Sequence, residues 1–147
     1  MSSELDSRRN PDRPIVAVGV VVWRGEDFLL VRRGKEPNKG HWSIPGGAQK
    51  LGETVFAAAV REVQEETGLD IEFCALVDVV DGIMRDDQGE LLYHYTLVDV
   101  VAESPEGEPV AADDAAAVGW FKPEDLPALG LWTETERIIR ESALKRH

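Results

Sequence analysis

A chain of 147 residues with 43% hydrophobic and 30% charged residues has the length of one ordinary domain and enough apolar material for a proper core. Its formal net charge of −12 excludes general affinity for nucleic acid, because a phosphate backbone demands basic surface. The single cysteine, Cys74, excludes an intrachain disulfide framework and a cysteine-rich zinc site.

Residues 1–13 are polar and contain Pro11, so they read as a flexible tail ahead of a domain over 14–147. They include no apolar signal region, and no later run approaches membrane-spanning length; a cytoplasmic protein without membrane contact is the expectation. The β-branched run 15–23 and the run 28–33 flank an Arg24-Gly25-Glu26-Asp27 turn, which predicts a hairpin with Trp23 in the core. Arg32, Arg33, Lys35, Lys39 and His41 then gather positive charge in an otherwise acidic chain. Such a patch can attract an anion, although each of these residues is equally well explained as a solvated strand end or loop. Trp42 is expected to pack beneath the segment Ile44-Pro45-Gly46-Gly47. The paired glycines there allow the backbone to approach a ligand, with carbonyls toward a cation or amides toward an anion.

Thr54 can cap a helix that runs through an Ala-rich, Pro-free stretch to a left-handed stop at Gly68, about fourteen residues. At about 100° per residue, Phe56, Ala59, Val60, Val63 and Thr67 form one packing stripe, while Glu62, Glu65 and Glu66 share a separate arc. Glu62 and Glu66 are a like-charge i,i+4 pair, which costs a bare helix a few tenths of a kcal/mol. A hard cation relieves such a cluster, and Mg²⁺ commonly takes one or two protein carboxylates plus water and substrate phosphate. Arg61 is one turn from Glu65 and able to pair with it or with Glu53. An acidic helix face alone is usually just solvated, but the adjacent glycine segment can converge with this one.

Further on, 71–80 and 91–101 read as strands around an Arg85-Asp86-Asp87-Gln88-Gly89 turn, with Cys74 a buried small hydrophobe. Alternation sends His94 to one face and Tyr93 and Tyr95 to the other, and the histidines share no metal-binding spacing. Asp113 and Asp114 precede a short strand at 117–121, Pro123 opens a helical turn, and 133–145 reads as a final helix capped by Thr133 with Glu136 at the capping-box offset. Strands interleaved with two substantial helices imply an α/β domain.

The segment from Gly47 to Leu69 matches G-x5-E-x7-R-E-U-x-E-E-x-G-U, with U aliphatic, at Gly47, Glu53, Arg61, Glu62, Val63, Glu65, Glu66, Gly68 and Leu69. With the Trp42…Pro45-Gly46-Gly47 lead-in, this resembles the signature of the Nudix hydrolases, a far more specific pattern than a lone glycine motif. The resemblance implies an α/β/α sandwich with a mixed β-sheet and hydrolysis of a pyrophosphate bond in a nucleoside diphosphate linked to another moiety. It implies Mg²⁺, with Mn²⁺ as the alternative, held by Glu62, Glu65, Glu66 and the carbonyl of Gly46. Glu53 and Arg61 would support the site, Glu65 would be the general base with Glu62 or Asp114 as substitutes, and Arg32, Arg33 and Gly47 would meet the substrate.

The lead-in looks most like ADP-ribose pyrophosphatase-like and MutT-like members, so ADP-ribose is favoured over a nucleoside triphosphate. The SQPWPFP-like element of NADH pyrophosphatases is missing. So is the downstream tyrosine of dinucleoside polyphosphate hydrolases, where this chain reads Ile83-Met84-Arg85-Asp86. The expected partner is a nucleotide-type small molecule, and a homodimer is allowed. A non-catalytic nucleotide-sensing module and an isomerase borrowing the fold are the other readings; the intact carboxylate set disfavours the first and the apolar context of Cys74 the second.

Overall fold

Strands form where the β-branched runs lie. In this computed structural model, which describes residues 9–36 and 38–146, β1 (Ile15–Arg24) and β2 (Asp27–Arg33) make the expected hairpin. Trp23 stands opposite Phe28, and Gly25 takes the left-handed corner at φ 58°. Residues 1–8, which hold most of the expected tail, and His147 lie outside the described residues.

The glycine segment folds as two short strands, β3 (Trp42–Ser43) and β4 (Gly46–Ala48). After helix α1 (Val55–Thr67), the long strands β5 (Glu72–Arg85) and β6 (Leu91–Glu103) pair antiparallel. β7 (Ala115–Phe121), a 3₁₀ turn at Pro123–Asp125, α2 (Leu126–Leu129) and α3 (Thr133–Ser142) complete the chain.

β1 lies near the middle of a mixed seven-stranded sheet of order β3-β2-β1-β6-β5. It runs parallel to β6 from Ile15 opposite Tyr95 to Trp23 opposite Glu103, and antiparallel to β4 from Ala17 opposite Ala48 to Gly19 opposite Gly46. Alternation along β1 divides the core. Val20 and Val22 pack with Ala59 and Val63 of α1, whereas Val21 and Trp23 pack with Ile138 and Ile139 of α3. The result is the α/β/α sandwich expected from the sequence. None of the described helices is long and apolar enough to cross a membrane.

Thr54 caps α1 as anticipated, its Oγ1 accepting from Ala57 N–H at 3.0 Å, and Gly68 ends it at φ 74°. The buried face is rotated from the expected stripe: Ala58, Ala59, Val63, Glu66 and Thr67 are buried, while Phe56 and Val60 are exposed. Packing the small Ala58 and Ala59 against the sheet brings the helix close to it and turns Glu66 inward.

The last helix also differs. Its first ladder bond runs from Glu136 N–H to the carbonyl of Trp132 at 3.0 Å, so Trp132 is the N-cap and Thr133 already lies inside. The helix stops at Ser142 rather than 145, because tertiary contacts take over. Ser142 Oγ donates to Ile139 O and accepts from Trp23 Nε1, and Arg146 binds both Glu103 oxygens at 2.7 Å. Cys74 is only half-buried, at the fringe of the α1-side core.

One buried charge breaks the apolar pattern. Asp99 on β6, 5% exposed, rests over Gly19, where a methyl group would collide with its carboxylate and with Ile44. Burial raises its pKa to about 7, aided by Asp78 and Glu134 and opposed by Arg137. A carboxyl that binds its proton more tightly when folded stabilises the fold fully below its unfolded pKa, and that stability is lost as pH rises toward 7. We expect unfolding free energy to fall by at most about 4 kcal/mol between pH 4 and 7 on this account. Asp99→Asn should flatten that slope and raise stability at pH 8; urea unfolding at several pH values checks it, and an unchanged slope would assign the pH dependence elsewhere.

Candidate active site

The signature residues meet where β4 runs beside the second half of α1, at Glu62 and Glu66. The β1–β4 pairing brings Gly46 so close to the carbonyl of Val18 that no side chain fits there. At Gly47 an added Cβ would lie 2.6 Å from the Glu62 carboxylate, so both glycines are needed for close approach, one to backbone and one to an acidic group.

Arg61 organises the carboxylates. Its Nε donates to Glu53 at 2.6 Å, Nη1 to Glu62 at 2.9 Å and Glu65 at 2.8 Å, and Nη2 to Glu53 at 2.9 Å and the carbonyl of Ala48 at 3.0 Å. All five guanidinium donors are therefore used. Hydrogen bonding to Arg61 holds the Glu53 carboxyl down at about 2 and pushes the Arg61 pKa further up. Glu53 also accepts from Lys50 N–H at 3.0 Å, so it joins the loop before α1 to the helix itself.

Glu66 is different. It is buried, accepts from Gly46 N–H at 3.1 Å and faces Glu62. Burial first, and Glu62 beside it second, push its pKa up to about 9. Two carboxylates thus converge at the glycine strand without enough positive charge between them.

These groups line a cleft of 350 Å³ whose wall includes Glu62, Glu65, Glu66, Gly46 and Gly47, with Arg33 from β2 and Asp113 and Asp114 from the loop before β7. Asp114 forms an ion pair with Lys35 at 2.9 Å, and Gly34 N–H donates to its carbonyl at 2.8 Å, which ties that loop to the end of β2. Most of the residues expected from the sequence are brought together. Arg32 is not: strand alternation places it on the opposite face from Arg33, with its guanidinium 5.9 Å from the Trp42 ring. Lys39 and His41 are exposed in the loop after β2 and do not line the cleft, and Trp42 packs edge-on against Phe121. Gln49 and Lys50, which do line it, sit in the variable spacer of the signature, where no fixed position pointed to them.

Among the described residues, no three His, Cys, Asp or Glu side chains are gathered closely enough to hold a metal ion. Arg61 accounts for this, since it draws Glu65 toward itself and also engages Glu62. The donor chemistry nonetheless suits a hard divalent cation: Glu62 and Glu66 converge, all the donors are oxygens, and Glu66 is strongly disfavoured as a bare anion. A second concavity of 540 Å³, between the end of α1 and the loop after β6, contains none of the signature carboxylates.

The chain matches the NUDIX domain model over residues 13–142. It is 36% identical over 128 residues to an ADP-ribose pyrophosphatase of Methanocaldococcus jannaschii, covering 87% of this chain and 72% of that protein. Among solved structures it resembles a MutT NUDIX hydrolase from Burkholderia pseudomallei, with 32% identity, a TM-score of 0.75, and coverage of 88% of this chain and 98% of that one. The fold also superposes on the NUDIX domain of Shewanella oneidensis NrtR, solved with ADP ribose, at a TM-score of 0.76 and 19% identity over 99% of both chains. A complete signature whose carboxylates and glycines converge on one cleft, within a domain-length match, makes this chain a member of the Nudix hydrolase family.

Proposed function

We propose that this Nudix pyrophosphohydrolase cleaves the diphosphate of a nucleoside diphosphate linked to another moiety, with ADP-ribose as the favoured substrate. The observation that carries the reading is the convergence of Glu62 and Glu66 on the Gly46-Gly47 strand in a cleft large enough for a diphosphate. The relative named ADP-ribose pyrophosphatase favours ADP-ribose. The neighbour named MutT supports the second reading, a nucleoside triphosphate.

Glu62 and Glu66, with Glu65 and the carbonyl of Gly46, would hold Mg²⁺ or Mn²⁺. A divalent cation supplies neutralisation of phosphate oxygens and a more acidic bound water. The chain's own residues supply the rest. Arg33 attracts the anionic diphosphate, Gly47 leaves room for it beside Glu62, and Arg61 keeps Glu53, Glu62 and Glu65 in fixed positions. Glu65 has the more solvent-accessible carboxylate of the Arg61 cluster, 41% exposed against 15% for Glu53 and 13% for Glu62, and takes the proton from the attacking water. Asp114 is the less suited base, because its carboxylate is engaged by Lys35 at 2.9 Å.

With Mg²⁺ present, a panel of ADP-ribose, sugar nucleotides, dinucleoside polyphosphates and nucleoside triphosphates should give AMP and ribose 5-phosphate from ADP-ribose at the highest kcat/KM. Faster release of pyrophosphate from a nucleoside triphosphate would favour the second reading. No product from any member would favour a nucleotide-sensing module.

A further inference from the structure

An anionic substrate entering this cleft meets mostly carboxylates, and the conspicuous cation among them has no donor to offer. Each of the five Arg61 N–H groups is already bound to Glu53, Glu62, Glu65 or the carbonyl of Ala48. Lys35 is engaged by Asp114. Besides Arg61, the basic residues on the cleft wall are Arg33, on the β2 side, whose charge also acts on Glu66, and Lys50, in the loop that leads into α1.

The backbone of Lys50 is fixed in place. Its N–H donates to Glu53 Oε1, its carbonyl accepts from Glu53 N–H at 3.0 Å, and the neighbouring Gln49 amide donates to the Glu53 carbonyl at 2.6 Å. Leu51 and Gly52 beyond it turn outward into solvent, Leu51 fully exposed and Gly52 at φ 83°. The root of the Lys50 side chain is therefore held at the cleft by the same carboxylate that anchors Arg61. Among the described residues, no carboxylate lies within ion-pairing distance of its ammonium.

We propose that Lys50 is a substrate-binding residue that contacts a non-bridging phosphate oxygen of the diphosphate from the loop side, complementing Arg33 on the strand side. This rests on the reading of the cleft as a pyrophosphohydrolase site. A compact ammonium on a flexible stem suits a phosphate oxygen as a point charge, without the fixed fork that Arg61 uses for its carboxylates. The contact serves the ground state and the transition state alike, so it acts on KM more than on kcat.

Lys50→Met and Lys50→Arg test this in the full chain. With the substrate that the wild type hydrolyses best, Lys50→Met should raise KM about tenfold and change kcat by less than about threefold, and Lys50→Arg should recover most of the loss. Calorimetric titration with inorganic pyrophosphate and Mg²⁺ should show a similar loss of affinity in Lys50→Met, at an unchanged melting temperature. Unchanged KM and pyrophosphate affinity in Lys50→Met would overturn the proposal, as would an arginine variant no better than the methionine one. If the wild type hydrolyses no member of the panel, the pyrophosphohydrolase reading fails by itself, and Lys50 is then judged by titration: a tenfold weakening supports it, while equal affinity or no wild-type binding overturns it.

Discussion

Glu65→Gln should lower Mg²⁺-dependent turnover by about a thousandfold, the range expected when a general base loses its basic oxygen. The fold should survive, because the Glu65 side chain is 41% exposed and its bond from Arg61 Nη1, at 2.8 Å, can be kept by the amide oxygen of glutamine. Melting curves with and without Mg²⁺ separate the roles open to Glu65. If it acts only as base, the rise in melting temperature on adding Mg²⁺ should match that of the wild type, by the linkage between binding and stability. If it is chiefly a ligand, that rise should shrink together with turnover. Glu62→Gln is the reference for the second behaviour, since Glu62 faces both Gly47 and Glu66. Turnover within tenfold of wild type in Glu65→Gln would remove that residue from the chemistry and direct attention to Asp114.

Arg61→Ala is the other substitution with a large expected effect, and it acts on position and stability together. It removes five hydrogen bonds at once and leaves Glu53, Glu62 and Glu65 crowded without the guanidinium that bridges them. Breaking a partly buried pair by deleting one partner costs more than the pair itself contributes, because the orphaned charge stays behind. Turnover should fall at least about a hundredfold, as when a residue orienting the ligands of a metal site is lost. The melting temperature of the metal-free protein should fall clearly as well. Mg²⁺ should recover part of that stability, because a cation can take over the neutralisation of Glu62 and Glu65, whereas Glu53, among the described residues, makes its ion pair with Arg61. Lys at position 61 keeps the charge but not the two-pronged contact with Glu53, so Arg61→Lys should retain more stability than activity. An Arg61→Ala protein with near-native melting and turnover would show that the cluster does not need this guanidinium.

Much of this site was legible in the sequence because it is local. The signature lies within Gly47 to Leu69, and helix geometry alone brings Arg61 within reach of Glu65 and places Glu62 and Glu66 one turn apart. The cap at Thr54 and the stop at Gly68 are likewise short-range features, and both form as read. Strand positions were recognisable from β-branched runs, although their ends were not. β5 continues to Arg85 and β6 to Glu103 because each is the other's hydrogen-bonding partner over that length, a property of the pair rather than of either segment.

What the sequence by itself determined was the kind of domain, the family and the set of acidic and glycine residues that carry its chemistry. What only the tertiary structure decided was which way each of them faces. Close packing of Ala58 and Ala59 on the sheet rolled α1 until Glu66 became buried and Phe56 and Val60 exposed. The alternation of β2 sent Arg33 to the cleft and Arg32 to the Trp42 side. Lys35, distant in sequence, captured Asp114, and the Glu53 contacts fixed Lys50 at the cleft wall. Each of these outcomes depends on contacts between segments far apart along the chain, and their energies are set by burial and by pairing across space. Local sequence patterns report turns and periodicity, and therefore could not reveal them.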